Sequence, residues 1–245
     1  MEYGFVVPVY NHGAALEGVV KNLSSYNLPV IIVDDGNNET NRAQIQEVVN
    51  KYSICTLVSL EKNSGKGTAM KHGLLKAHEM GLSYILQVDS DGQHDASRIA
   101  RFLEVSKANP GALICGYPEY DASVPKKRLN GRKIANGWIH VVTLSSCIKD
   151  ALIGFRVYPV KPYINIIKHH TYIDSRMGYD IDILVHLFWA GCPVISEPVK
   201  VFYPEDGISN FRMVRDNIRI SLTYTRLCLG MIVRLPVLLF RKIKG

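Results

Sequence analysis

The feature that most narrows the fold is an alternation of short apolar, β-branched runs with amphipathic helical patterns along the first half of the chain. Phe5–Val9, Val30–Val33, Thr56–Leu60, Tyr84–Val88 and Leu113–Cys115 read as buried strands. Between them, Ala14–Ser24, Arg42–Lys51, Lys66–Met80 and Ala96–Ala108 carry helical periodicity. Strand and helix alternating at this spacing predict βαβ units, and so an α/β, Rossmann-like, mostly parallel sheet flanked by helices. Hydrophobic residues make up 47% of the 245 positions, enough for a sizeable core and too many for a disordered chain. The segment from Pro118 to Lys133 turns loop-like and basic.

Open sheets of this kind bind ligands outside the carboxyl ends of their strands, which directs attention to the loops. The first strand ends in Pro8-Val9-Tyr10-Asn11-His12, the second in Asp34-Asp35-Gly36-Asn37, the fourth in Asp89-Ser90-Asp91-Gly92-Gln93. Carboxylates one residue apart at a strand end, Asp89 and Asp91, can hold a hard divalent cation whose other positions a diphosphate fills. Oxygen ligands suit Mg2+ or Mn2+ rather than zinc, and Gln93 offers one more oxygen. The same residues also make an ordinary solvated turn. Asp35 has the chemistry to accept the N–H edge of a uracil or guanine base; its alternative is a turn before the next helix.

Gly65-Lys66-Gly67 fails both phosphate-loop patterns, since Leu60 stands at the first glycine of one and Met70 at the last glycine of the other. What remains is a lysine and free amides at a helix N-terminus, a favourable place for an anion. Asp180 and Asp182 open another helical run, as a general base or as acids complementing the helix dipole. His94, His169 and His170 lack metal-ligand spacing, and no serine- or cysteine-nucleophile signature occurs.

Charge is distributed unevenly. From Phe211 to Gly245 eight basic residues face one acid, Asp216, a surplus equal to the +7 of the whole chain. A polyanionic partner is implied, a membrane surface or nucleic acid. Arg212, Arg215, Arg219 and Arg226 recur along one helical stripe, beside an apolar stripe of Phe211, Val214, Ile218 and Leu222. Residues 227–240 continue with few charges but fall short of the ~18 uninterrupted apolar residues of a spanning helix. This composition predicts a C-terminal amphipathic helix in a membrane interface, arginines toward lipid phosphates; its alternative is a helix packed on the core. Five scattered cysteines without a CxxC pair suit a reducing cytosol, and the N-terminus carries no signal-peptide pattern. A base-stacking surface would need aromatics interleaved with a basic strip, which the core lacks, so no nucleic-acid partner is expected.

The ordered series PVYN, VDDG, NSGKG, VDSDGQH, GFRVYP and the Asp180 helix resembles the family-2 glycosyltransferases of GT-A fold, in particular the dolichyl- or polyprenyl-phosphate sugar transferases, over roughly residues 3–210. The resemblance implies a nucleoside pocket of Pro8, Tyr10, Asn11 and Asp35, with Lys66 and Ser90 near the donor and Asp89, Asp91 and Gln93 as the metal set for Mg2+ or Mn2+. It places Arg156 of the GFR segment beside the acceptor, with Arg128 and Arg132 in support, and a catalytic acid at Asp180 or Asp182. Three positions depart from the family pattern: His12 replaces the common Glu, Asn37 replaces Ser, and Gly116-Tyr117-Pro118 replaces GSR.

These readings predict a GT-A domain over residues 1–210 and a basic, membrane-associating tail over 211–245. The expected activity is metal-dependent, inverting transfer of a sugar from a UDP- or GDP-type donor to a lipid-linked or amphiphilic acceptor, polyprenyl phosphate included. Such a protein would sit peripherally on the cytoplasmic face of a membrane, in cell-envelope biosynthesis. Two other classes share parts of the pattern. A sugar nucleotidyltransferase would want a basic, glycine-rich loop after the first strand, and PVYNHG has no arginine; a non-catalytic polyanion-binding protein would use the tail alone.

Overall fold

The computed structural model describes residues 1–92, 96–119, 126–169, 172–200 and 212–244. Seven strands form one sheet in the order β3-β2-β1-β4-β6-β5-β7. Strands β1 (Tyr3–Val9), β2 (Val30–Asp34), β3 (Cys55–Ser59) and β4 (Tyr84–Gln87) run parallel; β6 (Arg156–Pro159) is antiparallel to both β4 and β5 (Leu113–Glu119), and β7 (Val194–Lys200) runs parallel to β5. The chain moves outward from β1 to β2 and β3, then returns to place β4 on the other side of β1. That reversal opens a crevice beyond the carboxyl ends of β1 and β4.

The inner strands are apolar on both faces because helices cover both. From β1, Phe5 and Val7 enter a core with Leu16 and Val20 of α1 (Gly13–Ser24), Ile45 of α2 (Glu39–Lys51) and Phe102 of α4 (Ile99–Ala108). Val6 points the other way, toward Ala69, Met70 and Leu74 of α3 (Lys66–Glu79). The same core takes in α5 (Lys126–Thr143), α6 (Val160–His169), α7 (Tyr179–Trp189) and α8 (Met213–Lys244).

Several boundaries differ from the sequence reading. Helix α2 begins at Glu39 because the Asn38 side chain accepts the Asn41 N–H, an N-cap that periodicity alone does not reveal. The helical pattern at 96–108 opens with a 3₁₀ turn, Ala96–Arg98, before α4. Most of the loop-like 118–133 stretch is ordered differently: β5 continues through Gly116-Tyr117-Pro118 to Glu119 because β7 pairs with it along its whole length, and the basic cluster from Lys126 lies on α5.

The tail is a single helix, α8, and one stretch of it, Val214–Ile243, is long and apolar enough to cross a membrane by length and composition. Tyr224, Leu227 and Leu238 are buried against the domain. At about 100° per residue, Val214, Ile218, Leu222, Leu229, Val233 and Phe240 fall on one outward stripe, and all are more than half exposed. Of the four arginines expected to face lipid, Arg212 and Arg215 are exposed, but Arg219 and Arg226 turn inward instead. Arg219 pairs with Asp174 at 3.3 Å and Arg226 with Asp182 at 2.5 Å, because those buried carboxylates need a counter-charge.

Loops two and three close on each other at Gly36, which has φ +67° and whose missing Cβ leaves room for the Lys62–Asn63 backbone. Gly36→Ala is expected to destabilise the fold by about 2 kcal/mol or more, combining left-handed strain with a backbone collision. Urea denaturation at constant m-value measures it.

Candidate active site

The crevice at the β1/β4 reversal is lined by Pro8, Val9, Tyr10 and His12 from loop one, Asp35 from loop two, and Asn63, Gly65, Lys66 and Ala69 from loop three and α3, with Asp89, Ser90 and Asp91 after β4. All four strands β1 to β4 therefore deliver polar residues to one place.

Lys66 is its centre. Nζ lies 3.1 Å from Asp89 Oδ1 and 3.2 Å from Asp180 Oδ2, so one cation bridges the end of β4 and the first turn of α7. Burial alone would lower the lysine pKa, but the charges of Asp180 and Asp89 hold it well above its ordinary value. Asp180 Oδ1 is buried with no hydrogen-bond partner. Gly154 packs directly over this group: a Cβ there would lie 2.5 Å from both Lys66 Nζ and Gln87 Nε2. Gln87, fully buried on β4, donates to Asp89 Oδ1 at 3.3 Å and accepts from the Tyr158 hydroxyl at 3.3 Å, which aims the carboxylate into the crevice.

Asp35 lines the crevice and braces loop three. Its oxygens accept the Ser64 N–H at 2.7 Å, the Gly65 N–H at 2.9 Å and the Asn63 amide at 3.0 Å. Burial nonetheless raises its pKa, against the opposing pull of those N–H groups and of Arg176. Loop one is fixed by Asn37, which accepts the Asn11 N–H at 2.7 Å and donates to Val9 O at 2.8 Å. Asn11 is held at φ +62°, a conformation that costs a non-glycine residue and that Asn tolerates better than most.

Several sequence expectations change here. The amides at the start of α3 are not free for an anion: Gly65 N–H goes to Asp35, and those of Gly67 and Thr68 to Ser175 O. Asp182 does not reach the crevice. It is fully buried, accepts the Asp174 N–H at 2.7 Å, and pairs with His186 and Arg226. Burial pushes its carboxyl up, but the His186 hydrogen bond, the His186 and Arg226 charges and the Asp174 N–H outweigh that and hold it below its usual value.

Arg156 is also fully buried, so it cannot meet an acceptor; its guanidinium donates to Asp180 O and Ala151 O, fixing the backbone of α7. Arg132 is engaged by the buried Asp150 through two hydrogen bonds and ties α5 to the segment before Gly154. Burial opposes ionisation of Asp150, and Arg132 overrides it, lowering the carboxyl pKa. The Arg128 side chain and Gln93 lie outside the described residues. Gln87, Tyr158 and Arg176 escape the sequence reading, because a buried polar residue inside a strand or an unmatched loop carries no motif.

Among the described residues, no group of three or more His, Cys, Asp or Glu side chains is placed to hold a metal ion. Asp35, Asp89 and Asp91 are the acidic side chains lining the crevice among the described residues, and Asp35 is engaged by loop three, which leaves Asp89 and Asp91 as the candidate metal ligands. Two carboxylates fit a hard cation that takes its remaining ligands from phosphate oxygens and water, the mode that Mg2+ favours.

Comparison with known proteins agrees with this arrangement. The model of glycosyl transferase family 2 matches residues 5–167. Dolichyl-phosphate beta-glucosyltransferase of Dictyostelium discoideum is 26% identical, over 89% of this chain and 73% of its own length. Polyprenol monophosphomannose synthase of Mycolicibacterium smegmatis is 25% identical, over 87% of this chain and 82% of its own. Among solved structures, glucosyl-3-phosphoglycerate synthase of Mycobacterium tuberculosis, in complex with Mn2+, UDP-glucose and phosphoglyceric acid, superposes with a TM-score of 0.67 at 14% identity, covering 93% of this chain and 79% of that one. The fold is thus GT-A, and the nucleotidyltransferase and non-catalytic alternatives fall away. By the extent of the family match and the coincidence of its motifs with the crevice, the chain is a glycosyltransferase and belongs to glycosyl transferase family 2.

Proposed function

We propose that the protein transfers a sugar from a nucleoside diphosphate sugar to the phosphate of a membrane-borne polyprenyl lipid. The observation that carries the donor half is the Lys66 cation, held between Asp89 and Asp180 in a crevice at the strand ends. The acceptor half rests on the activities for which relatives aligned over most of this chain are named, on dolichyl phosphate and on polyprenol monophosphate.

In this reading Pro8, Tyr10 and Asp35 face the nucleoside, and Asn11, through its bond to Asn37, shapes the loop beneath it. The Asp35 carboxylate already serves loop three, so a base would share its remaining lone-pair capacity. Asp89 and Asp91 would hold Mg2+ or Mn2+, which supplies charge compensation for the leaving diphosphate. Lys66 adds a fixed positive charge on the same side, prepaid by the fold and most effective where developing charge is poorly solvated. A lipid phosphate arrives deprotonated, so it attacks the anomeric carbon without a general base; the sugar–phosphate bond to the donor breaks and the nucleoside diphosphate leaves. Asp180 then acts by holding Lys66 in place together with Asp89.

The outward stripe of α8 lies in the membrane interface in this reading. Its opposite face is packed on the domain, which favours a helix lying along the bilayer surface over one crossing it. The metal, the donor base, the tail's role and the placement at a cytoplasmic leaflet are parts of the proposal.

Three outcomes test it. Asp91→Asn is expected to abolish Mn2+-dependent binding of UDP and GDP in calorimetry while changing the melting temperature little, since the residue sits in a loop. Asp180→Asn is expected to lower kcat by about 100-fold, with donor affinity within a few fold and a pH profile unchanged in shape. Loss of the acidic limb instead would mark proton removal from a hydroxyl and change the acceptor class. Replacing Leu229, Val233 and Phe240 together by Gln is expected to move the protein from anionic liposomes to the supernatant without unfolding it, because these side chains are 63%, 80% and 57% exposed. Undiminished co-sedimentation would reject the interfacial assignment.

A further inference from the structure

The inward-turned arginines of α8 end on the segment that supports loop three. Arg226 Nη2 reaches Asp182 Oδ2 at 2.5 Å, and its guanidinium lies 4.3 Å from the centre of the Tyr172 ring. The same Asp182 oxygen accepts the Asp174 N–H, and the Asp174 carboxylate takes Arg219 on one oxygen and the Arg176 N–H on the other. Beside these pairs, Thr223 of α8 packs so closely on Gly178 that a Cβ there would collide with its hydroxyl.

The segment so gripped, 173–178, is what loop three and the start of α3 rest upon. Ser175 O accepts the N–H of Gly67 at 2.9 Å and of Thr68 at 3.3 Å. Arg176 donates to the Asn63 side chain at 2.7 Å and to its backbone oxygen at 3.1 Å. Lys71 of α3 donates to Ile173 O at 3.0 Å. Gly67 has no room for a side chain, since a Cβ would lie 2.5 Å from Asp174 O. One continuous set of polar contacts therefore leads from α8 through Asp174 and Asp182 to Asn63, which lines the crevice, and to Gly67 and Thr68, which follow Lys66 on α3.

We propose that Arg219 and Arg226 are positioning residues for the donor site: the tail helix, through its two ion pairs, sets the geometry of loop three and the first turn of α3. The inference rests on the donor-binding reading for its functional consequence but not for its structural content. Each carboxylate is almost fully enclosed, Asp174 at 2% and Asp182 at 0% exposure, so loss of its arginine leaves a buried charge without its counter-charge where it now stands. Release of α8 therefore forces the 173–178 segment to move, and the amides bonded to Ser175 move with it. The tail thus has an effect on donor binding distinct from membrane attachment.

The test removes each pair without leaving a lone buried charge, using the full-length protein. Asp182→Asn/Arg226→Gln and Asp174→Asn/Arg219→Gln are compared with wild type by amide hydrogen exchange and by calorimetric binding of UDP and GDP with Mn2+. The expected result is exchange at Gly67 and Thr68 faster by about tenfold or more while amides in β2 and β3 keep their protection. Nucleotide affinity falls by a similar factor, and Arg226→Lys, which keeps the charge, recovers most of both. Unchanged exchange at Gly67 and Thr68 in both double variants overturns the inference, as does acceleration spread equally over β2 and β3, which signals general destabilisation. Accelerated exchange in the variants, with no nucleotide binding by wild type, upholds the positioning role and instead rejects the donor-site reading.

Discussion

A single lysine placed between two carboxylates organises this molecule. Lys66 belongs to α3, Asp89 to the loop after β4, and Asp180 to α7, so the triad joins segments that enter the crevice from three directions. Removing one partner of the triad would leave the remaining charges unbalanced in a poorly solvated setting, Asp180 being 10% exposed and Lys66 and Asp89 25% and 26%. Much of the surrounding structure serves to hold it. Gln87 and Tyr158 orient Asp89, Arg156 fixes the backbone at Asp180, and Gly154 omits the atom that would push the group apart. The pattern is one of preorganised charge, in which the fold bears the cost of assembling the site before any substrate arrives.

What the sequence made legible follows from where information is local. Strands buried on both faces announce themselves as apolar runs, and polar residues immediately after them fall at the carboxyl edge by topology alone. Tyr10, Asp35, Lys66, Asp89 and Asp91 could therefore be placed together without coordinates. The illegible parts depend on partners far away in the chain. Arg156 and Asp182 look like site residues in a motif, yet one closes over backbone carbonyls and the other over Arg226, forty-four positions further on. Pro118 looked like the start of a loop because β7, the partner that carries β5 past it, was not recognised as a strand. Arg219 and Arg226 share a stripe with the exposed Arg212 and Arg215 yet point inward, since nothing in the spacing reveals the buried acids they meet.

Asn37 shows how a departure from the family pattern acquires a physical meaning. Its amide donates to Val9 O and Asp34 Oδ1 while its oxygen accepts from Asn11, so one side chain ties together the ends of β1 and β2. A serine there has one donor hydrogen and a shorter reach, and would leave part of this set unmade. The left-handed Asn11 depends on that oxygen, which links an unusual residue to an unusual backbone conformation a few ångströms from the proposed nucleoside pocket.

The reversed direction of β6 has a consequence for how this architecture diversifies. Strands β1 to β4 deliver their C-terminal ends to the crevice, but β6, antiparallel to β4, delivers its N-terminal end, which is why Gly154 arrives over Lys66. Changes in the few positions just before β6 therefore act directly on the Lys66 group. Helix α5, earlier in the same connection, is held to a different task, since Ala135, Ile139 and Val142 pack in the core shared with β1, β2 and α3. Freedom to vary what approaches the reacting centre is thus confined to a short stretch whose position is set by the orientation of a four-residue strand.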